Sequence, residues 1–364
     1  MGLGILGIGT ASPIYSIGQR EAAELTKRFC CRTKGQAQWL STLHRLTHVQ
    51  RRGSVLLEKS TGSGLKQSFF PPALSHDAGQ GPTTRQRMDR YAKEAPLLAK
   101  AAARQALERS SIAAGQIRQL ITVTCTGFSA PGFDVALIKN LGLPETVGRT
   151  QIGFMGCHGA LNALRVAAAF SDADPQAKIL VCSVELCSLH FHCGWNPEKI
   201  VANALFADGA GALVATSASQ APKECWQVIA SGSCLFPDSE EAMTWRIGDY
   251  GFEMTLSARV PTLIRQHLKP WLTRWLTGLG FSVSKIRSWA VHPGGPKILS
   301  TVAECLELSS QAIGASQGVL AQHGNMSSPT ILFILERLIR EKAHRPCVML
   351  GFGPGLAVEG ALLL

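Results

Sequence analysis

Gln151-Ile152-Gly153-Phe154-Met155-Gly156-Cys157 and Gln322-His323-Gly324-Asn325-Met326-Ser327-Ser328 share the pattern Gln-x-Gly-x-Met, and each opens onto an apolar helical stretch. The likeness extends outward from both. A strand running into polar residues precedes each segment, Val123-Thr124-Cys125 in one case and Ala290-Val291-His292 in the other. A short apolar strand follows each helix, Ile179–Val181 and Val348–Leu350, and the opening strand Gly4–Ile8 has its counterpart in Trp226–Ala230. Matched elements in matched order predict a duplicated α/β fold with a pseudo-two-fold axis. The polar, strand-free stretch at 216–224 places the join between an N-terminal half, 1–220, and a C-terminal half, 221–364.

Apolar runs and helical stretches alternate throughout, as in α/β proteins. Further buried strands are predicted at Gln119–Thr124, Lys178–Ser183, Gly211–Ala215, Ser288–His292 and Cys347–Gly351. Helices are predicted at Arg90–Arg109, His158–Phe170, Phe252–Thr277 (interrupted by Pro261 and Pro270), Lys297–Leu306 and Thr330–Lys342. Ser60–Thr84, rich in Gly, Ser, Pro and Gln, reads as a loop.

The 364 residues are 46% hydrophobic and 17% charged, enough for one large duplicated core. No apolar run approaches the length of a membrane span, and the first residues lack the basic and apolar regions of a signal peptide. Eleven cysteines scattered without paired short spacings point to reduced thiols in a cytoplasmic protein. The formal charge of +11 suits anionic partners, but no block of basic residues appears. Nucleic acid is therefore the weaker explanation, and a phosphate-bearing small molecule fits as well.

Cys157 follows a glycine-rich turn and opens a helix, where unpaired N–H groups and the helix dipole stabilise thiolate. That suits an acyl-transfer nucleophile, although a free Cys is as often simply a buried residue. His292 ends a buried strand where a loop opens, a common place for functional groups in α/β sheets. If the halves superpose, the loop of Asn325 faces that of Cys157 across the axis, and a thiol, an imidazole and a carboxamide share one pocket.

GFMGCHGALNALRVA (153–167), AVHPGGPKIL (290–299), GNMSSPTILFIL (324–335) and GFGPGLAVEGALLL (351–364) resemble the signature segments of the type III polyketide synthases, the chalcone synthase-like family; ALFADGAGALV (204–214) and CTGFSAPGFD (125–134) match two more. The run GPTTRQRM (81–88) is closer to bacterial members. The resemblance implies a thiolase fold with duplicated βαβαβαββ halves in five αβαβα layers. It implies that Cys157 carries the growing acyl chain, and that His292 and Asn325 hold the malonyl-CoA thioester oxygen during decarboxylation, needing no metal or redox cofactor. It implies malonyl-CoA and acyl-CoA as substrates, an aromatic or pyrone product, and a homodimer, with no nucleic acid or membrane partner.

In the pocket the resemblance places Phe206 as a gatekeeper, with Cys125, Thr126, His190, Trp245, Met254 and Ser327 on the walls, and the loop Gly351–Gly355 shaping the cavity where rings close. Met254 stands where many members have Phe, Trp245 where some have Gly, and His190 and Cys125 where Thr is common. A bulky Trp245 implies a small cavity and a short starter, and His190 a polar wall able to bond or deprotonate a polyketide chain. Arg45, Arg51, Arg52 and Lys297 are candidates for the phosphates of coenzyme A. The cluster Cys182, Cys187, His190, His192 and Cys193 has no metal-ligand spacing. Two other readings share the fold, a ketoacyl carrier-protein synthase of the third kind and a catalytically silent binding protein. HPGGP with GFGPG argues against the first and an intact Cys–His–Asn set against the second.

Overall fold

The computed structural model describes residues 2–60, 64–70 and 81–364. The first half begins with β1 (Leu3–Ala11) and an excursion comprising β2 (Ser16–Gly18), α1 (Gln19–Cys30), α2 (Lys34–Leu46), β3 (Arg51–Gly53), β4 (Glu58–Lys59) and β5 (Leu65–Lys66). It continues through α3 (Thr84–Ser110), β6 (Ile117–Thr124), α4 (Phe133–Leu141), β7 (Gly148–Gly153), α5 (Gly159–Ala173), β8 (Lys178–Leu186), α6 (Pro197–Leu205) and β9 (Asp208–Ser217). The second half runs β10 (Gln227–Leu235), β11 (Met243–Gly248), β12 (Gly251–Leu256), α7 (Val260–Gly278), β13 (Ser288–Val291), α8 (Pro296–Leu306), α9 (Gly314–His323), α10 (Thr330–Arg340), β14 (Cys347–Gly353) and β15 (Ala357–Leu363).

Nine strands form one sheet in the order β13-β14-β15-β10-β1-β9-β8-β6-β7. Read outward from the central β1–β10 pair, the two wings match: an antiparallel neighbour (β9 or β15), another antiparallel strand (β8 or β14), then a parallel one (β6 or β13). The wings join where Leu3 pairs with Val228 and Gly4 with Gln227.

Alternate residues of each strand enter different cores, as the pleat requires. Ile121, Val181 and Leu213 from one wing and Met349, Ala361 and Leu363 from the other enclose α5 and α10 in a central core. Leu120, Leu180 and Val214 turn the other way, against α3. Val348, Leu350 and Val358 do the same against α7 and α8. Burial on both faces explains why these strands are continuously apolar. The layers run α3, sheet, α5 with α10, sheet, α7 with α8. On α3, begun by a Thr83–Gln86 capping box, the small side chains Ala99, Ala102, Ala103 and Ala106 are fully buried. They pack so closely on β1 that a Cβ at Gly9 would lie 2.3 Å from the Ala102 carbonyl oxygen.

Three expectations change. The second half lacks the third strand of the βαβαβαββ pattern among the described residues, because α9 fills the interval before α10. Phe252 does not start a helix: Gly251–Leu256 pairs with Met243–Gly248 as a hairpin, and α7 begins at Val260 with Pro261 in its first turn and Pro270 accommodated inside. Of the Ser60–Thr84 loop, residues 61–63 and 71–80 lie outside the described residues; within the rest, β5 pairs with β4 and α3 already starts at Thr84.

Candidate active site

Cys157 sits in a single 3₁₀ turn, Gly156–His158, that leads into α5. Gly156 has φ +67°, and a Cβ on it would lie 2.5 Å from Cδ of Pro354. Only glycine allows the turn and the Gly353–Pro354 backbone to meet, and that contact holds the half-buried thiol at a cavity of about 190 Å³. The Ser327 hydroxyl and the Asn325 carboxamide lie beside the sulfur and favour its charged form, yet burial dominates and raises the thiol to about 12, with Glu185 adding to the effect. The helix end therefore does not by itself make a thiolate here; a base must take the proton.

His292 follows the last residue of β13, its N–H donating to the Leu350 carbonyl at 2.8 Å. It is 1% exposed and neither ring nitrogen has a partner. Burial, then the neighbouring His158, lowers it to about 3, so the imidazole is neutral. Asn325 is equally buried. Its Oδ1 accepts from the Ser327 N–H at 2.8 Å, which leaves Nδ2 without a partner. Unpaired buried donors are rare. Asn325 lies beside the Cys157 sulfur and His292 beside His158 of the same turn, although neither of the two lines the cavity.

The cavity is lined by Cys125, Thr126, His190, Phe206, Trp245, Met254 and Ser327, as the resemblance implied, and also by Phe252 and Met243. The Trp245 indole N–H donates to the Cys125 carbonyl at 2.6 Å. His190 stacks on Phe252 with ring centroids 4.2 Å apart. Its Nδ1 accepts from the Phe252 N–H (2.8 Å), so Nε2 carries the proton and donates to the Thr126 carbonyl, also at 2.8 Å. The imidazole is fully engaged and, lowered to about 3 by burial, is not free to bond or deprotonate a substrate. Its expected chemical role is corrected to that of a rigid wall. A second arm of the cavity runs between β2, α1 and the segment before β4, along Ile17, Ala22, Leu25, Phe29 and Leu57.

Gly355 lies off the cavity: Pro354 supplies the lining, and a Cβ on Gly355 would meet Leu235. The four phosphate candidates are not drawn together. Arg45, Arg51 and Lys297 are exposed and do not line the cavity, and Arg51 donates to Ser16 Oγ at 2.8 Å. Arg52 does line it, but its Nη1 is bound to the carbonyls of Asn203 and Phe206 inside the fold. Among the described residues no group of three or more His, Cys, Asp or Glu is placed to hold a metal ion, and no helix is long and apolar enough to cross a membrane.

One residue escaped the sequence reading. Glu185, fully buried on β8, accepts from the Cys125 N–H (2.9 Å) and from the hydroxyls of Thr126 (2.6 Å), Ser328 (2.5 Å) and Thr124 (3.2 Å). Burial raises its pKa against these bonds. A single carboxylate within the apolar run Lys178–Leu186 was the available signal.

Residues 3–219 match the family model for the N-terminal domain of chalcone and stilbene synthases, and residues 227–364 that for the C-terminal domain. An alpha-pyrone synthesis polyketide synthase-like protein of Mycobacterium tuberculosis is 37% identical over 77% of this chain and 73% of its own. The 1,3,6,8-tetrahydroxynaphthalene synthase of Streptomyces peucetius is 31% identical over 100% and 93%. The 3,5-dihydroxyphenylacetyl-CoA synthase of Streptomyces toyocaensis is 33% identical over 99% and 89%. Among solved structures, PKS-I of the brown alga Ectocarpus siliculosus superposes with a TM-score of 0.90 at 29% identity, covering 100% of this chain and 98% of that one. With both halves matched in order and relatives aligned across the whole length, the chain belongs to the chalcone and stilbene synthase family, the type III polyketide synthases.

Proposed function

We propose that the protein loads an acyl group from an acyl-CoA onto Cys157, extends it by decarboxylative condensation with malonyl-CoA, and releases a cyclised aromatic or pyrone product. The observation that carries this reading is a thiol lining an apolar cavity, with an unpaired, buried Asn325 amide beside it and an unpaired, buried His292 beside the adjacent His158. Neutral His292 takes the Cys157 proton; the sulfur attacks the acyl thioester and coenzyme A leaves as its thiol. Malonyl-CoA then presents its thioester oxygen to His292 and Asn325 Nδ2. Loss of carbon dioxide leaves an enolate whose charge these donors stabilise, and the enolate carbon attacks the Cys157 thioester. The sequence of steps balances without a redox partner.

The Trp245–His190–Phe252 wall limits the cavity on one side, while the arm along Ile17, Leu25 and Leu57 suits an aliphatic starter. The relatives' names, which include pyrone synthesis and tetrahydroxynaphthalene, support cyclised products. A homodimer in a reducing, cytoplasmic setting completes the reading, in keeping with eleven free thiols.

The test is incubation of the purified protein with malonyl-CoA and a panel of acyl-CoA starters, with products read by mass spectrometry. Wild type is expected to yield polyketides, and Cys157→Ala none; Cys125 and Cys187 also line the cavity, but both are buried and burial raises their thiols. Polyketide formation by a folded Cys157→Ala protein removes Cys157 as the nucleophile.

A further inference from the structure

The C-terminal end of α6 has an unusual set of partners. A helix leaves its last carbonyls without intrahelical donors, and here each is accounted for. The Ala202 carbonyl keeps its bond from the Phe206 N–H, and the Ala204 carbonyl receives Gln19 Nε2 at 2.8 Å. The Leu205 carbonyl receives the backbone N–H of Asn325 at 2.9 Å. The carbonyls of Asn203 and Phe206 both receive one nitrogen, Nη1 of Arg52, the second at 2.9 Å.

Asn325 is tied to the same turn from its other side, its carbonyl accepting from the Ala207 N–H at 2.9 Å. Phe206 and Asn325 thus form a parallel bridge, standing in for the strand that the second half lacks. Gly324, at φ +74°, packs where a Cβ would lie 3.1 Å from the Leu205 carbonyl oxygen and 3.3 Å from Cβ of Arg52. The Gln50 N–H, just ahead of β3, binds the Ala321 carbonyl near the end of α9 at 2.8 Å. Three chain segments therefore meet at Arg52: β3, the end of α6, and the loop carrying Asn325. The guanidinium also opposes the negative end of the helix dipole and faces buried Asp208.

We infer that Arg52 is a positioning residue for the condensation: by holding the last turn of α6 it aims Phe206 and, through the Phe206–Asn325 bridge, the Asn325 carboxamide at Cys157. This assignment rests on the reading of Asn325 as a donor to the malonyl thioester oxygen. Arg52 touches no reacting atom. It fixes the backbone from which a donor projects, and a displacement of about 1 Å at such a donor can lower a rate by about 100-fold.

The experiment measures malonyl-CoA decarboxylation (kcat and KM), iodoacetamide alkylation of Cys157 and thermal unfolding in Arg52→Met, Arg52→Lys, Asn325→Ala and the double variants. Arg52→Met is expected to lower kcat by about 10- to 100-fold with a smaller change in KM, and to leave alkylation near wild type. Arg52→Lys should restore much of the rate, since a single nitrogen makes both bonds. In the Asn325→Ala background Arg52→Met should lower decarboxylation little further. If Arg52→Met does not fold, Arg52→Gln takes its place in the same cycle. Unchanged kcat in the folded single variants, or losses that multiply in the double variant, overturn the assignment. Unchanged decarboxylation in Asn325→Ala instead removes the catalytic reading of Asn325.

Discussion

The two Gln-x-Gly-x-Met loops share one left-handed position and differ at two others: Phe154 and Gly324 are left-handed where their counterparts, Asn325 and Gly153, are not. Gly156 and Ser327 occupy the same place in the repeat and both lie in the left-handed region, at φ +67° and +57°. One residue further on, Cys157 and Ser328 stand two residues ahead of α5 and α10. The thiol faces the cavity. The hydroxyl is fully buried and spent on Ser183 and Glu185. At the third matched position, Phe154 joins an aromatic cluster with Phe128 and Phe252, while Asn325 presents an unpaired amide. The loops differ in support as well: strand β7 carries the first, and the end of α6 carries the second. Duplication supplied two equivalent helix-opening turns. On the proposed reading, one carries the acyl chain and the other is its electrostatic partner.

The most severe way to break this division is to remove the second loop's donor. Asn325→Ala and His292→Gln are each expected to lower malonyl-CoA decarboxylation by about 10²- to 10³-fold, as loss of one oxyanion donor does elsewhere. Alkylation of Cys157 should persist in Asn325→Ala, because the thiol stays where the first loop holds it. Wild-type decarboxylation rates in both variants would place the polarising groups elsewhere and undo the comparison.

A smaller effect follows from exchanging the matched left-handed residues. Gly156→Ser puts a Cβ into the ring of Pro354 and adds left-handed strain to a non-glycine residue. Together these are expected to cost about 2 kcal/mol or more. Ser327→Gly relieves the strain that Ser327 bears and gives up its bond to Cys157; its stability should remain within about 1 kcal/mol of wild type. Chemical denaturation of the two variants reads the asymmetry. Equal losses would mean that the two turns are packed alike and that the contact with Pro354 does not single out the first.

Much of this was legible in the sequence, because the repeat is written in residues whose backbone needs are strict. Gly153, Gly156 and Gly324 mark turns, and the helices behind them are apolar because they lie between two sheets. The matched order of elements in the two halves follows from that pattern, as does the placing of Asn325 near Cys157. The hairpin β11–β12 did not show itself, since Phe252 lies in a run continuous with a genuine helix and only the cross-strand pairing of Trp245 with Met254 reveals two strands. Arg52 reads as one more surface cation because nothing local announces that carbonyls 150 residues away await it. His190 reads as a reactive imidazole until the amide of Phe252 and the carbonyl of Thr126 occupy both its nitrogens. In each case the deciding partner is distant in sequence.

The finest distinction lies between the two donors, and pH separates them. His292 and His44 are buried and lowered to about 3, whereas an unfolded chain titrates them near 6.5. Between those values the unfolded state binds more protons, so stability falls as pH drops from about 6.5 toward 3. His190, also at about 3, and His192, at about 4, act in the same direction. Asp208, raised by burial to about 6, acts oppositely, because the folded state takes its proton first. Two carboxylates, Asp208 and Glu185, against several histidines leave the net slope positive, and the protein is expected to be less stable at pH 5 than at pH 7.5. His292→Gln removes one contributor, worth at most about 1.4 kcal/mol per pH unit, and should flatten the slope. Asn325→Ala carries no titrating group and should leave it parallel to wild type. Urea unfolding at the two pH values measures both slopes. Parallel lines for all three proteins would mean that burial does not lower His292 in the fold.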